Sequence, residues 1–190
     1  DGGDGTLDAL VDSTGGQFFK SIVTGPLGRP LEANWGVMGD GRTAVIEMAL
    51  ASGLALVPPK SRDPRITTTW GTGEIIKEAL DRGFTRIIVG LGGSATNDAG
   101  AGMAEALGAR FLDAEGENLS HGGAALARLA SIDVSQLHQR LGSVEIVGAT
   151  DVTNPLCGPT GASSIYGPQK GASPEVAAEL DEALENFARV

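Results

Sequence analysis

The sequence predicts an α/β fold, in which a mixed sheet contains a β-hairpin and has helices on its flanks. The main observation is the β-branched run Ile87–Val89, which predicts a buried strand and is followed by a glycine loop and a helix pattern. The Gly-Asp-Gly turn at residues 39–41 joins two apolar stretches at hairpin spacing, so part of the sheet is antiparallel. Apolar residues at helical spacing over residues 72–82 supply the flanking helix.

The first half of the chain predicts helices that alternate with strands. A helix over residues 6–11 has Leu7, Leu10 and Val11 on one side and ends at a pair of glycines. Small apolar residues predict a short helix over 49–56, and Thr72 is the expected N-cap of the helix over 72–82. Strands bounded by Gly and Pro are predicted over residues 18–23, 31–38 and 43–48.

The second half continues the α/β pattern. A helix is expected to begin at Asp98, with Asn97 or Asp98 as its N-cap. A second buried strand is predicted over 144–149, and an amphipathic helix starts after the cap residue Ser173. A short strand is predicted over residues 109–112 and a helix over residues 124–129.

Composition excludes several classes of function. The 190 residues suffice for one good core or two small ones, and we expect a single α/β domain over residues 1–190. The net charge is -10 with no basic stripe, so we expect no nucleic acid and no membrane as partners. One cysteine and two histidines argue against a disulfide or a histidine-rich metal centre. A cytoplasmic location is the default expectation.

The glycine loop after the first buried strand is the leading candidate site. Glycines between a strand and a helix start can present backbone N–H groups to a phosphate. A purely structural βα turn is the alternative, but such a turn needs one or two polar residues rather than four. The candidate residues of this loop are Gly92, Gly93, Ser94, Thr96, Asn97 and Asp98.

Three further polar loops could contribute to chemistry. Asp151 follows an apolar strand with Asn154 three residues on, which suits a magnesium ligand or a base, although both could simply cap a turn. Lys170 lies beside a glycine ahead of a helix start and could face a phosphate or carboxylate, or be solvated. The first residues contain GGDGT, which is also the phosphate-loop signature of nicotinamide-nucleotide and lipid kinases. Its candidate contacts are Asp1, Gly2, Gly3 and Asp4.

Five long motifs, spread from residue 1 to residue 172, resemble the bacterial-type glycerate kinase family, and the resemblance covers nearly all of the chain. They are DGGDGTLDALV, TAVIEMALASGLALV, TTTWGTGEIIKEALDRG, IIVGLGGSATNDAGAGMAEALGARFLDAEG and ATDVTNPLCGPTGASSIYGPQKGA. The resemblance implies ATP-dependent phosphorylation of D-glycerate with Mg²⁺, and we expect 2-phosphoglycerate as the product. It also implies a two-domain α/β protein, of which this chain would be most of the inserted smaller domain. We therefore expect a fragment that lacks the N-terminal and C-terminal parts and is inactive alone.

The site assignment combines the resemblance with the chemistry of the loops. Phosphoryl transfer needs positioning and charge neutralisation, so Asp98 and Asp151 are predicted to be catalytic and to hold Mg²⁺. The other candidate residues are predicted to contact substrate or phosphate. The alternatives are a GGDGT-type nucleotide or lipid kinase, and a non-catalytic small-molecule-binding or oligomerising domain. A homo-oligomer is compatible with the sequence.

Overall fold

A five-stranded mixed sheet forms the centre of the computed structural model, which describes residues 2–190. Its strands lie in the order β1 (Gln17–Thr24), β2 (Pro30–Val37), β3 (Thr43–Glu47), β4 (Arg86–Gly90) and β7 (Glu145–Ala149). Pairing is antiparallel from β1 to β3 and parallel from β3 to β7. The predicted α/β class with a mixed sheet is therefore confirmed.

Helices and a second, small sheet surround this centre. The two-stranded sheet pairs β5 (Arg110–Leu112) with β6 (Ser131–Asp133). The α-helices are α1 (Thr6–Thr14), α2 (Ala49–Ser52), α3 (Trp70–Asp81), α4 (Ala101–Ala106), α5 (Ala162–Tyr166) and α6 (Pro174–Arg189). Short 3₁₀ helices cover Leu54–Leu56, Pro59–Ser61, Gly123–Arg128, Gln139–Ser143 and Pro168–Lys170. No helix within residues 2–190 has the length and apolar character needed to cross a membrane.

Apolar residues of the central sheet pack on both of its faces. On one face, Trp35, Ile46 and Ile87 join the apolar side of α3 in the largest buried cluster. On the other face, Val45 packs against Leu7 and Val11 of α1. A separate cluster joins α4, the 3₁₀ segment at 123–128 and α6.

The parallel strands place three chain segments at one edge of the sheet. Glu47 pairs with Gly90, and Gly90 pairs with Ala149, so β3, β4 and β7 all end at the same level. Ligands of α/β sheets gather beyond the carboxyl ends of such strands. The loops after β4 and β7 therefore emerge side by side, where their polar residues can line one site.

Several local predictions were wrong. Helix α3 begins at Trp70, so Thr72 is not its N-cap; the Thr72 hydroxyl is buried in the helix and lies 2.9 Å from the Ser52 hydroxyl. Helix α4 begins at Ala101 after the N-cap Gly100, rather than at Asp98. The segment 124–129 folds as a 3₁₀ helix rather than an α-helix.

Strand β7 is correctly predicted as a strand but wrongly predicted as buried. Within residues 2–190 it pairs only with β4, and its Ile146 side chain is 44% exposed. An apolar run indicates a strand but not how many neighbours cover it, which is why the sequence could not place it at the edge.

Candidate active site

The N-terminal glycine loop lies directly on the carboxyl edge of the sheet. A Cβ added to Gly2 would lie 2.1 Å from the Ala149 carbonyl oxygen, and one added to Gly90 would lie 2.4 Å from the Gly2 carbonyl oxygen. The Gly92 N–H donates to that same Gly2 oxygen at 3.2 Å. Because only glycine allows backbones to approach this closely, these positions seat the loop between the ends of β4 and β7.

The rest of the N-terminal loop points toward the loop after β4. A Cβ on Gly93 would lie 3.8 Å from the Asp4 carboxylate, and Asp4 itself is exposed. Gly3 is half-buried and lies against Gly92. A Cβ added to Gly92 would lie 2.8 Å from the Cα of Gly3. Asp1, predicted to belong to the same site, lies outside the described residues.

Glu47 holds helix α1 at this edge, a role that the sequence analysis missed. Its side chain is only 4% exposed, and its Oε1 accepts a hydrogen bond from the Leu7 N–H at 2.7 Å. Leu7 is in the first turn of α1, where backbone N–H groups lack helical partners and the helix dipole favours negative charge. The end of β3 thus anchors the helix that follows the N-terminal loop.

The Asp98 carboxylate is buried and surrounded by donors. Its Oδ2 accepts from the Thr69 N–H and the Thr69 hydroxyl, both at 2.8 Å, and from the Gly102 N–H at 3.3 Å. Its Oδ1 accepts from the Gly100 N–H at 3.2 Å. Only 1% of the residue is exposed. Asp98 therefore joins the start of α3 to the start of α4, and it caps α4 although it lies outside that helix.

Asp151 has a different environment. The residue is exposed, and within residues 2–190 its carboxylate has neither a hydrogen-bond partner nor an ion-pair partner. Asn154, three residues on, is used internally: its amide donates to the Thr160 carbonyl at 2.9 Å, and its oxygen accepts from the Tyr166 hydroxyl at 2.6 Å. The Asp151 carboxylate is therefore available to a ligand.

Lys170 reaches from the 3₁₀ segment at 168–170 into the loop after β4. Its Nζ donates to the Ser94 hydroxyl at 2.9 Å and to the Thr96 carbonyl at 2.5 Å. Only 8% of the residue is exposed. Burial lowers the pKa of Lys170 to about 8, against the opposing attraction of the Asp98 charge.

The other predicted residues of the loop after β4 also bond within the protein, and of these Thr96 and Asn97 are buried while Gly93 is exposed. The Asn97 amide donates to the Ser163 hydroxyl at 2.9 Å, which joins the loop to α5. The Gly93 carbonyl accepts from the Leu54 N–H at 2.8 Å. Thr96 is buried and offers its carbonyl to Lys170. These bonds give the loop a fixed shape.

Two adjoining cavities open at this edge of the sheet. The larger measures about 410 Å³ and the smaller about 230 Å³, and they share Leu91, Ser94 and Lys170. Asp98 lines only the larger cavity, while Asp151 lines only the smaller one. The smaller cavity is lined by Leu91, Gly92, Gly93, Ser94, Thr150, Asp151, Val152, Tyr166, Gln169 and Lys170.

A second carboxyl group, Glu105, lies behind Asp98. Desolvation and the nearby negative charge of Asp98 raise the pKa of Glu105 to about 7. His121 approaches Glu105 at 3.7 Å and packs against the Trp70 ring, with 4.8 Å between ring centroids. The Asp98 charge therefore affects the ionisation of Glu105, although Glu105 does not line either cavity.

A magnesium site must be tested against the donors that are available. No group of three His, Cys, Asp or Glu side chains that could hold a metal occurs among residues 2–190. Mg²⁺ in phosphoryl-transfer sites is typically held by one or two carboxylates together with substrate phosphates. Asp151 fits that arrangement because its oxygens have no donor within residues 2–190, whereas both oxygens of Asp98 already accept hydrogen bonds.

The sequence analysis identified neither Glu47 nor Thr69 as part of the site. Glu47 follows an apolar strand, as Asp151 does, so the same strand-end pattern could have identified it. Thr69 belongs to a run of three threonines whose partner lies 29 residues further on, and no local pattern shows that pairing.

The chain matches a known family over its whole length. The model described as the glycerate kinase family matches residues 1–190. A glycerate kinase of Bacillus subtilis (strain 168) is 58% identical over 188 residues, which cover 99% of this chain and 49% of that relative. A glycerate 2-kinase of Escherichia coli (strain K12) is 55% identical over 190 residues, which cover 100% of this chain and 50% of that relative.

A solved structure is also similar. It is described as glycerate kinase 2 from Salmonella typhimurium LT2 and superposes with a TM-score of 0.97 at 56% sequence identity. The match covers 100% of this chain and 50% of that one. The chain thus spans about half the length of the curated relatives it matches.

Proposed function

Because this chain belongs to the glycerate kinase family, we propose that the whole protein transfers the γ-phosphate of ATP to D-glycerate. The observation that carries the proposal is a cavity that combines the unpartnered Asp151 carboxylate with the buried Lys170 ammonium. A hydroxy acid needs both: a base or metal ligand at its hydroxyl, and a cation for its negative charge. Two of the relatives are named glycerate kinase and glycerate 2-kinase, which agrees with this acceptor.

The proposed roles of Asp151 and Asp98 in phosphoryl transfer depend on whether their carboxylate oxygens already accept hydrogen bonds within the protein. Such reactions depend on positioning and charge neutralisation more than on covalent chemistry by the protein. Asp151 can accept the proton of the attacking hydroxyl or hold Mg²⁺, which, when bound, would neutralise phosphate charge. The assignment of Asp98 to catalysis or to Mg²⁺ stays a prediction, and its four internal donors favour a positioning role.

The other site residues are proposed as substrate or phosphate contacts. Gly2, Gly3 and Asp4 present the N-terminal loop, and Gly92 and Gly93 present the loop after β4. The same role is proposed for Asp1, Ser94, Thr96, Asn97, Asn154 and Lys170. We also propose that residues 1–190 are one domain of a longer two-domain kinase, and that this kinase is cytoplasmic.

A coupled assay of ADP formation on the whole protein tests this function. D-glycerate, other short hydroxy acids and nicotinamide nucleotides are compared as acceptors. We expect D-glycerate to be phosphorylated at the highest kcat/KM, with 2-phosphoglycerate identified by ³¹P NMR. Activity on nicotinamide nucleotides alone would instead place the protein among the GGDGT-type kinases.

A further inference from the structure

Lys170 is a buried cation without a matching anion in the part of the chain that is described. Its ammonium contacts only two neutral acceptors, the Ser94 hydroxyl and the Thr96 carbonyl. No carboxylate within residues 2–190 lies within ion-pair distance of it. Because a buried charge is costly unless it is paired, this arrangement leaves room for an anion that the protein does not itself supply.

The ammonium also keeps donor capacity for that anion. A lysine ammonium carries three N–H donors, and protein acceptors account for two of them here. The Asp98 carboxylate attracts Lys170 electrostatically, but its oxygens are occupied by four donors from residues 69, 100 and 102. Asp98 therefore does not replace a direct counter-ion.

The cavity beside Lys170 has opposite charges on its lining. Lys170 and Ser94 supply a cation and a hydroxyl, and Asp151 supplies a carboxylate that has no partner in the described part of the chain. At about 230 Å³ it is smaller than the roughly 300–1,000 Å³ of pockets for drug-sized ligands, and it suits a short acid better than a nucleotide.

We propose that Lys170 and Ser94 form the carboxylate subsite for the acceptor, so that the acid is held there while its hydroxyl faces Asp151. This rests on the proposed function and adds to it the orientation of the substrate. The site selects short hydroxy carboxylates and rejects uncharged polyols that offer the same hydroxyl groups.

Charge balance favours a carboxylate over the phosphates of ATP. Among the described residues, Lys170 is the single basic residue that lines either cavity, whereas Asp98 and Asp151 are both acidic. One ammonium matches the single charge of a carboxylate. A triphosphate carries several charges and would need further cations, which residues lining these two cavities do not provide.

The main test separates recognition of the carboxylate from structural support. The whole protein is compared with Lys170→Met, Lys170→Arg and Ser94→Ala, using D-glycerate and glycerol as acceptors. We expect Lys170→Met to raise the KM for D-glycerate about 100-fold, since a buried charge contact is lost, while the KM for ATP changes little. Because glycerol has no carboxylate to lose a contact, the ratio of kcat/KM for D-glycerate to that for glycerol should fall by a similar factor.

Intermediate variants sharpen the result. Ser94→Ala should raise the KM for D-glycerate about tenfold, and Lys170→Arg should retain more of the affinity than Lys170→Met because it keeps the charge. Lys60→Met is the matched control, since Lys60 is exposed and lines neither cavity. A thermal melt of each variant checks that folding is preserved.

The pH profile adds an independent readout. With the pKa of Lys170 at about 8, the KM for D-glycerate should rise above pH 8 in the parent protein. The other ionisable groups that face Lys170 or its segment are Asp98, Asp151, Tyr166 and Arg62. Lys170→Arg changes none of these, so a flattened profile in that variant assigns the pH dependence to residue 170.

The outcomes distinguish the subsite from the overall function. If the parent protein does not phosphorylate D-glycerate, the proposed function fails. If it does, but Lys170→Met raises the KM for ATP instead, the ammonium binds phosphate and the carboxylate subsite is wrong. Equal losses with D-glycerate and glycerol would show that Lys170 only supports the fold, which would also overturn the proposal.

Discussion

The loops after β4 and after β7 leave the same sheet edge, yet they use their aspartates in opposite ways. Asp98 is buried and accepts four hydrogen bonds, while Asp151 is exposed and has no protein partner within residues 2–190. A carboxylate that is saturated by internal donors fixes the backbone around it. One that is free of them can bind a metal or take a proton. Both aspartates follow the end of a strand. Their roles differ because internal donors occupy the carboxylate of Asp98 and leave that of Asp151 free within residues 2–190.

The largest effect is expected from Asp151→Asn, which removes a charge with almost no change in shape. If Asp151 is the base or the metal ligand, turnover of the whole protein should fall by a factor of about 100 to 10,000. The coupled assay measures turnover, and a thermal melt should be unchanged because the Asp151 carboxylate has no hydrogen-bond or ion-pair partner within residues 2–190. Full turnover in this variant would remove Asp151 from the mechanism.

Asp98→Asn should act on stability first. An amide donates where the carboxylate accepted, so the N–H groups of Thr69, Gly100 and Gly102 lose an acceptor or receive a weaker one. We expect the free energy of unfolding to fall by about 3 kcal/mol, measured by denaturant titration. Asp12→Asn, at an exposed position on α1, is the control and should unfold as the parent does.

An Asp98→Asn protein with parental stability but lost turnover would contradict the contrast between the two loops. That result would return Asp98 to the catalytic role that the sequence predicts.

Thr69→Val tests the same network from the other side with a smaller effect. The Thr69 hydroxyl donates to Asp98 and accepts from the Met103 N–H at 2.9 Å, so its loss weakens one carboxylate contact and leaves a half-buried N–H without its acceptor. We expect a loss of about 2 kcal/mol in stability. In a double-mutant cycle with Asp98→Asn, the two losses should be less than additive, and full additivity would show that the residues act separately.

The smallest expected effect is the pH dependence of stability that Glu105 contributes. Its pKa is about 7 in the folded protein and 4.5 ordinarily, so the unfolded state binds fewer protons between those values. Stability should therefore decrease as pH rises from about 4.5 to 7. Glu105→Gln removes this contribution, and its stability relative to the parent should grow across that window by about 1 kcal/mol. A difference that is constant with pH would contradict the raised pKa.

Local sequence patterns predicted most of the strands and selected Asp151 as a candidate. They did not predict hydrogen bonds between residues that are far apart in the sequence. The apolar runs at 87–89 and 144–149 gave two parallel strands, and the polar residues after them gave Asp151. The four donors around Asp98 include Thr69, 29 residues earlier, and the α1 contact of Glu47 spans 40 residues. Such contacts follow from packing of the whole chain, so the sequence could nominate Asp98 but could not show that it is saturated.

The backbone contact of Gly2 with Gly90 and Ala149 has a consequence for attempts to reshape the smaller cavity by substitution. Beneath the loops, the backbone of Gly2 packs directly on the backbone of Gly90 and Ala149. A methyl group at Gly2 or Gly90 would lie 2.1 or 2.4 Å from a carbonyl oxygen. A substitution at Gly2 or Gly90 would therefore displace the N-terminal loop. Leu91, Tyr166 and Gln169 are side-chain walls of the smaller cavity, and they are the positions at which an engineer can change its width while leaving its depth untouched.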